Sequence, residues 1–257
     1  MKSIWKGSIS FGLVNIPVKM FSATQSQTLD LDMLRKGDLC EVKFRRVCKD
    51  DNKEIPYENI VKGYKYEGGD YVVLTDKDFA SAYVEKSNTI DLIHFVNEED
   101  IDIVYYEKPY YLEPEKSGTK SYTLLMEAVK KFKKVGVARF VLKNREHIAV
   151  IRSYKDVMVL NQIRFQDEIR SYEDLNIPKP KEIGSKEIEL AISLIEQLSF
   201  KFDLKEFKDT YIRELKKIIA LKAKGKPPAK RTGKTAKPTN VKSLMTLLKA
   251  SVKKKAA

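Results

Sequence analysis

Short runs of alternating apolar residues, broken by turn-forming residues, fill the first two-thirds of the 257-residue chain. They restrict it to architectures built from short strands. Ile9, Phe11 and Leu13 alternate with small or polar residues, and then the apolar phase switches to Val14, Ile16, Val18 and Met20. The switch predicts a bulge or a strand that bends between two surfaces. Tyr64 and Tyr66 alternate up to Gly68-Gly69, and Tyr71, Val72, Val73 and Leu74 follow, the pattern of a hairpin whose turn needs positive φ. Residues 137–142 and 147–151, separated by a polar turn, predict a second hairpin, and 157–163 a further strand. Six or seven such strands predict a barrel or a sandwich.

Helical spacing interrupts this pattern. Thr75 with Asp78 reads as a capping box for a short helix over 76–86. Leu124, Leu125, Ala128, Val129 and Phe132 predict an amphipathic helix over 120–134. After a break at Pro178 and Pro180, Ile188, Ala191, Leu194, Ile195 and Leu198 form one helical face. Asp203 with Glu206 then predicts the cap of a helix whose stripe is Leu204, Phe207, Tyr211, Leu215 and Ile218. The reading is a β core, a helical segment at 185–221 and a tail at 222–257.

The tail carries most of the charge. Residues 222–257 hold eleven Lys, one Arg and no acid, whereas the first 221 hold 37 basic and 36 acidic groups. A nearly neutral body with a cationic arm points to a polyanionic partner, nucleic acid ahead of an anionic membrane surface. Its Lys, Pro, Gly, Ala and Thr content through 239 predicts disorder. Helical spacing returns at Val241, Leu244, Leu247, Leu248 and Ser251, predicting a short helix over 241–252. No run approaches the roughly 18 apolar residues of a membrane span. With only Cys40 and Cys48 and no signal peptide, the expectation is a cytoplasmic, nucleoid-associated protein without a membrane partner.

Catalytic motifs are missing. There is no phosphate-binding P-loop and no dinucleotide fingerprint, and the glycines at 63–69 lie between strands rather than opening a helix. His94 and His147 sit among apolar strand residues and read as structural. Glu98, Glu99, Asp100 and Asp102 read as a solvated strand edge, and two cysteines are too few for the usual four-ligand zinc site. The expectation is a non-enzyme with no cofactor and no metal. In contrast, Lys43, Arg45 and Arg46, with Arg35 and Lys36 shortly before, suit phosphate contacts. On a strand, Lys43 and Arg45 would share one face and Arg46 the other. Spacing alone leaves an ordinary charged edge strand equally open.

Three blocks follow in order: Ile4-Trp5-Lys6-Gly7-Ser8-Ile9-Ser10-Phe11-Gly12-Leu13-Val14-Asn15-Ile16-Pro17-Val18-Lys19, then Phe44-Arg45-Arg46-Val47-Cys48 with Ile55-Pro56-Tyr57-Glu58-Asn59-Ile60-Val61-Lys62-Gly63-Tyr64, then Tyr71-Val72-Val73-Leu74-Thr75-Asp76. Together they are similar to the bacterial Ku proteins. The resemblance runs on to about residue 221. It implies a mixed, mainly β fold: a β-barrel core with an extended β bridge, forming in the homodimer a ring around a double-stranded DNA end. A helical C-terminal segment and a basic disordered tail follow.

The implied division is a barrel and bridge core at 1–184, a helical dimerisation segment at 185–221 and a flexible tail at 222–257. The implied role is sequence-independent end binding in non-homologous end joining, with recruitment of an ATP-dependent DNA ligase. The bridge would run over about 17–61, which makes Lys19, Arg35, Lys36, Lys43, Arg45 and Arg46 the DNA-facing candidates. Lys224, Lys226, Lys230, Arg231, Lys234 and Lys237 extend these into the tail. Leu194, Leu198, Phe207, Tyr211 and Leu215 are the candidates for a two-fold dimer interface. Some relatives carry Cys-x-x-Cys after the Arg-Arg-Val block; here Lys49, Asp50 and Asp51 follow Cys48, so a zinc site does not carry over. The alternative is a histone-like protein that coats DNA through its tail.

Overall fold

The structure is a computed structural model that describes residues 1–82, 88–177 and 184–227. Seven strands close into a barrel in the order β1-β2-β6-β9-β8-β7-β5. They are β1 (Trp5–Phe11), β2 (Val14–Ser22), β5 (Thr89–Val96), β6 (Tyr106–Pro114), β7 (Val135–Leu142), β8 (Arg145–Tyr154) and β9 (Val157–Ile163). All pairings are antiparallel except the closing one, where Ser8, Ile9 and Ser10 of β1 run parallel to Thr89, Ile90 and Asp91 of β5. Ile9, Ile16, Val18, Met20, Ile90 and Leu112, with Phe140, Ile151, Met158 and Leu160, make one buried cluster.

The phase switch after Leu13 is a hairpin, not a bulge or a bent strand. Phe11 pairs with Val14, leaving a two-residue turn at Gly12-Leu13. Gly12 has φ +59°, and a glycine in the first central position is what a II′ turn requires. The 137–151 hairpin turns at Lys143-Asn144, both at positive φ, so Arg145 and Glu146 already belong to β8. The Gly68-Gly69 hairpin joins β3 (Lys62–Lys65) to β4 (Tyr71–Leu74), a separate two-stranded sheet.

α1 (Asp76–Ala82) begins as expected. The Asp78 carboxylate accepts from the Thr75 N–H at 2.8 Å and hydroxyl at 2.7 Å, and these bonds hold its carboxyl below the usual range. Residues 83–86 of the expected helix lie outside the described residues. Glu98–Asp100 and Ile103–Tyr105 are 3-10 turns rather than a strand edge. Three of the four acids have partners: Asp100 accepts from the Asn97 N–H, Asp102 from the Val104 N–H, and Glu98 pairs with Arg152 of β8 at 3.2 Å.

α2 (Thr119–Phe132) buries part of the stripe its spacing predicts and adds Tyr122 to it. Tyr122, Leu125 and Val129 enter the core, whereas Leu124 and Phe132 stay exposed. The Tyr122 hydroxyl decides the orientation. It donates to Leu112 O on β6 and accepts from Met158 N–H on β9, each at 2.7 Å, between two residues that are themselves a ladder pair.

α3 (Ser185–Leu198) and α4 (Thr210–Ala223) contain no buried residue. Asp203 caps only the 3-10 turn Leu204–Glu206, and α4 is capped by Asp209, which accepts from the Ile212 N–H at 3.0 Å. The expected single stripe therefore spans two elements, with Phe207 outside the helix. The chain divides into two units, Met1–Ser26 with Asp30–Ser171, and Gln27–Leu29 with Tyr172–Ala257.

Tyr122→Phe should lower unfolding stability by about 1–3 kcal/mol in urea titrations, because it strands a buried carbonyl and N–H together. Burial lifts the Tyr122 phenol above its ordinary value, against a smaller downward pull from the Met158 N–H. Its contribution is complete below pH about 10 and lost as pH rises through the folded value. Unfolding titrations at rising alkaline pH should show wild-type stability falling from that point, with a shallower fall in Tyr122→Phe.

Candidate nucleic-acid interface

Five of the six body cations singled out by sequence, Arg35, Lys36, Lys43, Arg45 and Arg46, lie in the excursion between β2 and β5. None of residues 23–82 is buried. Pro17–Ser22, expected to open the bridge, belongs to the barrel strand β2. Beyond it, Leu34 bridges Glu41 and Val47 bridges Glu54, forming the centres of two tight reversals. The first is closed by Arg35 N–H to Cys40 O and Val42 N–H to Met33 O. The second is closed by Cys48 N–H to Lys53 O and Ile55 N–H to Arg46 O.

Lys43, Arg45 and Arg46 are therefore not on a regular strand. They occupy the irregular link between the reversals, and strand alternation does not sort their faces. With so few ladder bonds, side-chain contacts set the directions instead. Arg45 reaches across the second reversal to Glu54 at 2.5 Å. The Arg46 guanidinium lies 5.0 Å above the Tyr57 ring. Stacking uses the flat face of the guanidinium and leaves its N–H edge available, the arrangement suited to a phosphate oxygen. Arg35 makes a two-pronged pair with Asp38 that holds that carboxyl below its usual range. Such exposed pairs contribute little to stability but limit where the side chain goes.

Lys36 and Lys43 are exposed and make no ion pair among the described residues. Lys19 sits apart from these, half-buried on β2 between the buried Val18 and Met20, and so points outward. Its cross-strand neighbours are Lys6 and Glu113. Lys224 and Lys226 are exposed at the end of α4. Lys230, Arg231, Lys234, Lys237 and the expected helix over 241–252 lie outside the described residues.

Of the dimer candidates, Leu194 and Leu215 are half-buried while Leu198, Phe207 and Tyr211 are exposed. Phe207 stacks with Phe202 at 5.9 Å, and Phe200 is 81% exposed. Sequence reasoning missed Glu54 and Tyr57 as the partners that aim Arg45 and Arg46. The Asp50-Asp51-Asn52 run was the available signal, since turn residues there fold 53–57 back on 45–48.

Other chemistry is sparse. Among the described residues no group of three or more His, Cys, Asp or Glu could hold a metal ion. His94 is exposed, and His147 is half-buried, its Nδ1 3.1 Å from Gln162 Nε2 and its ring 5.5 Å from Phe140. No helix among the described residues is long and apolar enough to cross a membrane.

The sequence comparisons with known proteins agree with one another. The profile of the Ku70/Ku80 beta-barrel domain matches residues 10–190. The non-homologous end joining protein Ku of Opitutus terrae is 40% identical over 257 residues, covering 98% of this chain and 91% of its own. That of Bacillus subtilis is 36% identical, covering 98% and 82% respectively. That of Coxiella burnetii is 34% identical, covering 99% and 95%.

If Lys36, Lys43 and Arg46 touch phosphates, replacing all three with Ala should flatten the plot of log affinity for duplex DNA against log salt. The expected loss of slope is about 2.7, at about 0.9 per contact. The thermal midpoint should not move, because none of the three is buried.

Proposed function

The chain belongs to the Ku family, and on that premise we propose that it binds double-stranded DNA ends in non-homologous end joining, repairing double-strand breaks. In this reading two copies form a ring threaded by the duplex, and the ring recruits an ATP-dependent DNA ligase. The observation that carries the proposal is the excursion over 23–82. It exposes Phe44 at 79%, Tyr57 at 74% and Tyr71 at 67% on the same segment as Lys36, Lys43 and Arg46, which make no ion pair among the described residues. Apolar side chains in such number mark a surface meant to be covered, here by a second copy on one side and DNA on the other.

A closed hoop admits DNA only from a free end, so end preference follows from topology and needs no base contact. The lining requires phosphate-directed cations alone. Lys36, Lys43, Arg45 and Arg46 supply them in this reading, with Arg35 and Lys19 at the margins and the tail adding affinity. Charge of this kind makes binding strong but salt-sensitive. The dimer contacts are assigned to Leu194, Leu198, Tyr211 and Leu215, on helices that bury no residue of their own, and to Phe207 between them. The division at 184 and 221 follows the same roles: a barrel and bridge core, a dimerisation segment, and a flexible tail. The protein acts as a scaffold in the cytoplasm at the nucleoid and leaves bond formation to the ligase.

Mobility-shift titrations of the full chain on three DNAs of equal length test the ring. Linear DNA with free ends should bind, while linear DNA with both ends blocked by bulky adducts and closed circular DNA should not at moderate salt. Equal binding to all three would instead support DNA coating through the cationic tail. Sedimentation should give twice the chain mass. Leu198→Asp with Tyr211→Asp should return it to the monomer and weaken end binding at least about tenfold, since central aromatic contacts carry most of an interface.

A further inference from the structure

A second surface lies at the C-terminal end of α2, on the barrel unit and apart from the excursion. Phe11, Phe95, Leu125, Ala128, Val129 and Phe132 line a cavity of about 290 Å³. Phe11 and Phe95 meet edge to face at 5.7 Å and fix one wall. Phe132 forms the other and is 77% exposed. Phe132 lies two turns beyond Leu125 on the same helical face, so the stripe continues past the point where the barrel covers it.

The neighbouring cavity is polar, about 220 Å³, and shares Val129 and Lys134 with the first. Its charged lining is Lys130, Lys133, Lys134 and Arg152 against the single acid Glu98. Glu98 is committed to Arg152, and Lys134 is held by Asn97 Oδ1 at 2.6 Å. Among the described residues Arg152 Nε is buried without a hydrogen-bond partner, and the guanidinium lies 5.9 Å from the centre of the Tyr154 ring. The cations at 130, 133 and 134 favour the negative end of the α2 dipole, but a dipole does not account for Arg152 on β8 or for an open apolar pocket alongside.

We propose that this paired surface docks an acidic peptide segment of a partner protein, with a bulky aromatic or aliphatic side chain in the Phe11–Phe95–Phe132 pocket and carboxylates on Lys130, Lys133 and Arg152. Charge complementarity selects the flanks and the pocket selects the anchor. Duplex DNA matches the cations alone, since its backbone has no apolar group to fill the pocket and would leave it facing phosphate. The inference does not depend on ring formation, because every residue in it belongs to one barrel.

Panning a phage-displayed library of random dodecapeptides on the full chain tests it. Enriched peptides should combine Phe, Trp or Leu with two or more adjacent Asp or Glu. Anisotropy of the labelled winners should show at least about tenfold weaker binding to Ala128→Trp, which fills the pocket. Lys133→Gly provides a second variant that keeps the fold. Lys133 caps α2 at φ +54°, a conformation glycine adopts without penalty, so the change removes a cation and leaves the helix end intact. It should weaken the peptides several-fold with no loss of thermal midpoint. Both variants should bind DNA ends as the wild type does.

Failure to enrich acidic-apolar peptides would overturn the proposal, as would winners that bind Ala128→Trp as tightly as the wild type and so belong to the tail. Loss of DNA-end binding in either variant would assign the surface to nucleic acid instead.

Discussion

Barrel closure depends on a short parallel seam. Three residue pairs join β1 to β5, and the Ser8 N–H adds a bond to Asn88 O at 3.0 Å just before them. Gly7 makes the approach possible, since a Cβ there would lie 2.1 Å from Asn88 O and against the Trp5 ring. The seam matters beyond the barrel because the long excursion leaves at the end of β2 and returns at the start of β5. Its two ends are fixed by the same closed sheet, and residues 23–82, none of them buried, inherit their placement from that sheet.

α2 holds the opposite part of the barrel by a different device. A buried phenol stands between paired strands, donating to one and accepting from the other. Leucine could fill the same space but would leave both backbone groups unpaired, and an unmet buried group costs more than a hydrogen bond gains. The hydroxyl therefore sets the rotation of the helix. That rotation turns Leu124 outward and leaves the end of the apolar stripe, at Phe132, open beside the lysines of the last turn.

The electrostatics of the excursion follow from its lack of regular pairing. On a strand, neighbouring cations would be divided between two faces by the backbone. Here Glu54 and Tyr57 take over that role, one as an ion-pair partner and the other as a stacking platform. Arg45 and Arg46, adjacent in sequence, thus receive different chemical surroundings. Nothing in their spacing foretold this, because both partners come from beyond the turn at 49–52.

Local patterns alone determined the strands and hairpins around Gly68-Gly69 and Lys143-Asn144, the cap at Thr75 and the bounds of β9, since alternation and turn chemistry act within a few residues. The separation of a nearly neutral body from a cationic arm was equally legible, being a matter of composition, and the three ordered blocks carried the family. Tertiary structure decided the rest. It made the phase switch at Val14 a hairpin by pairing Phe11 with Val14. It chose Tyr122 over Leu124, turned Asp100 and Asp102 into caps, and started α4 at Asp209 rather than Asp203. The choice of Tyr122 depends on which distant backbone groups need a partner once the barrel has closed, and the hairpin and the caps on which of several nearby backbone groups is left unpaired by the folded chain; period and spacing hold no information about either.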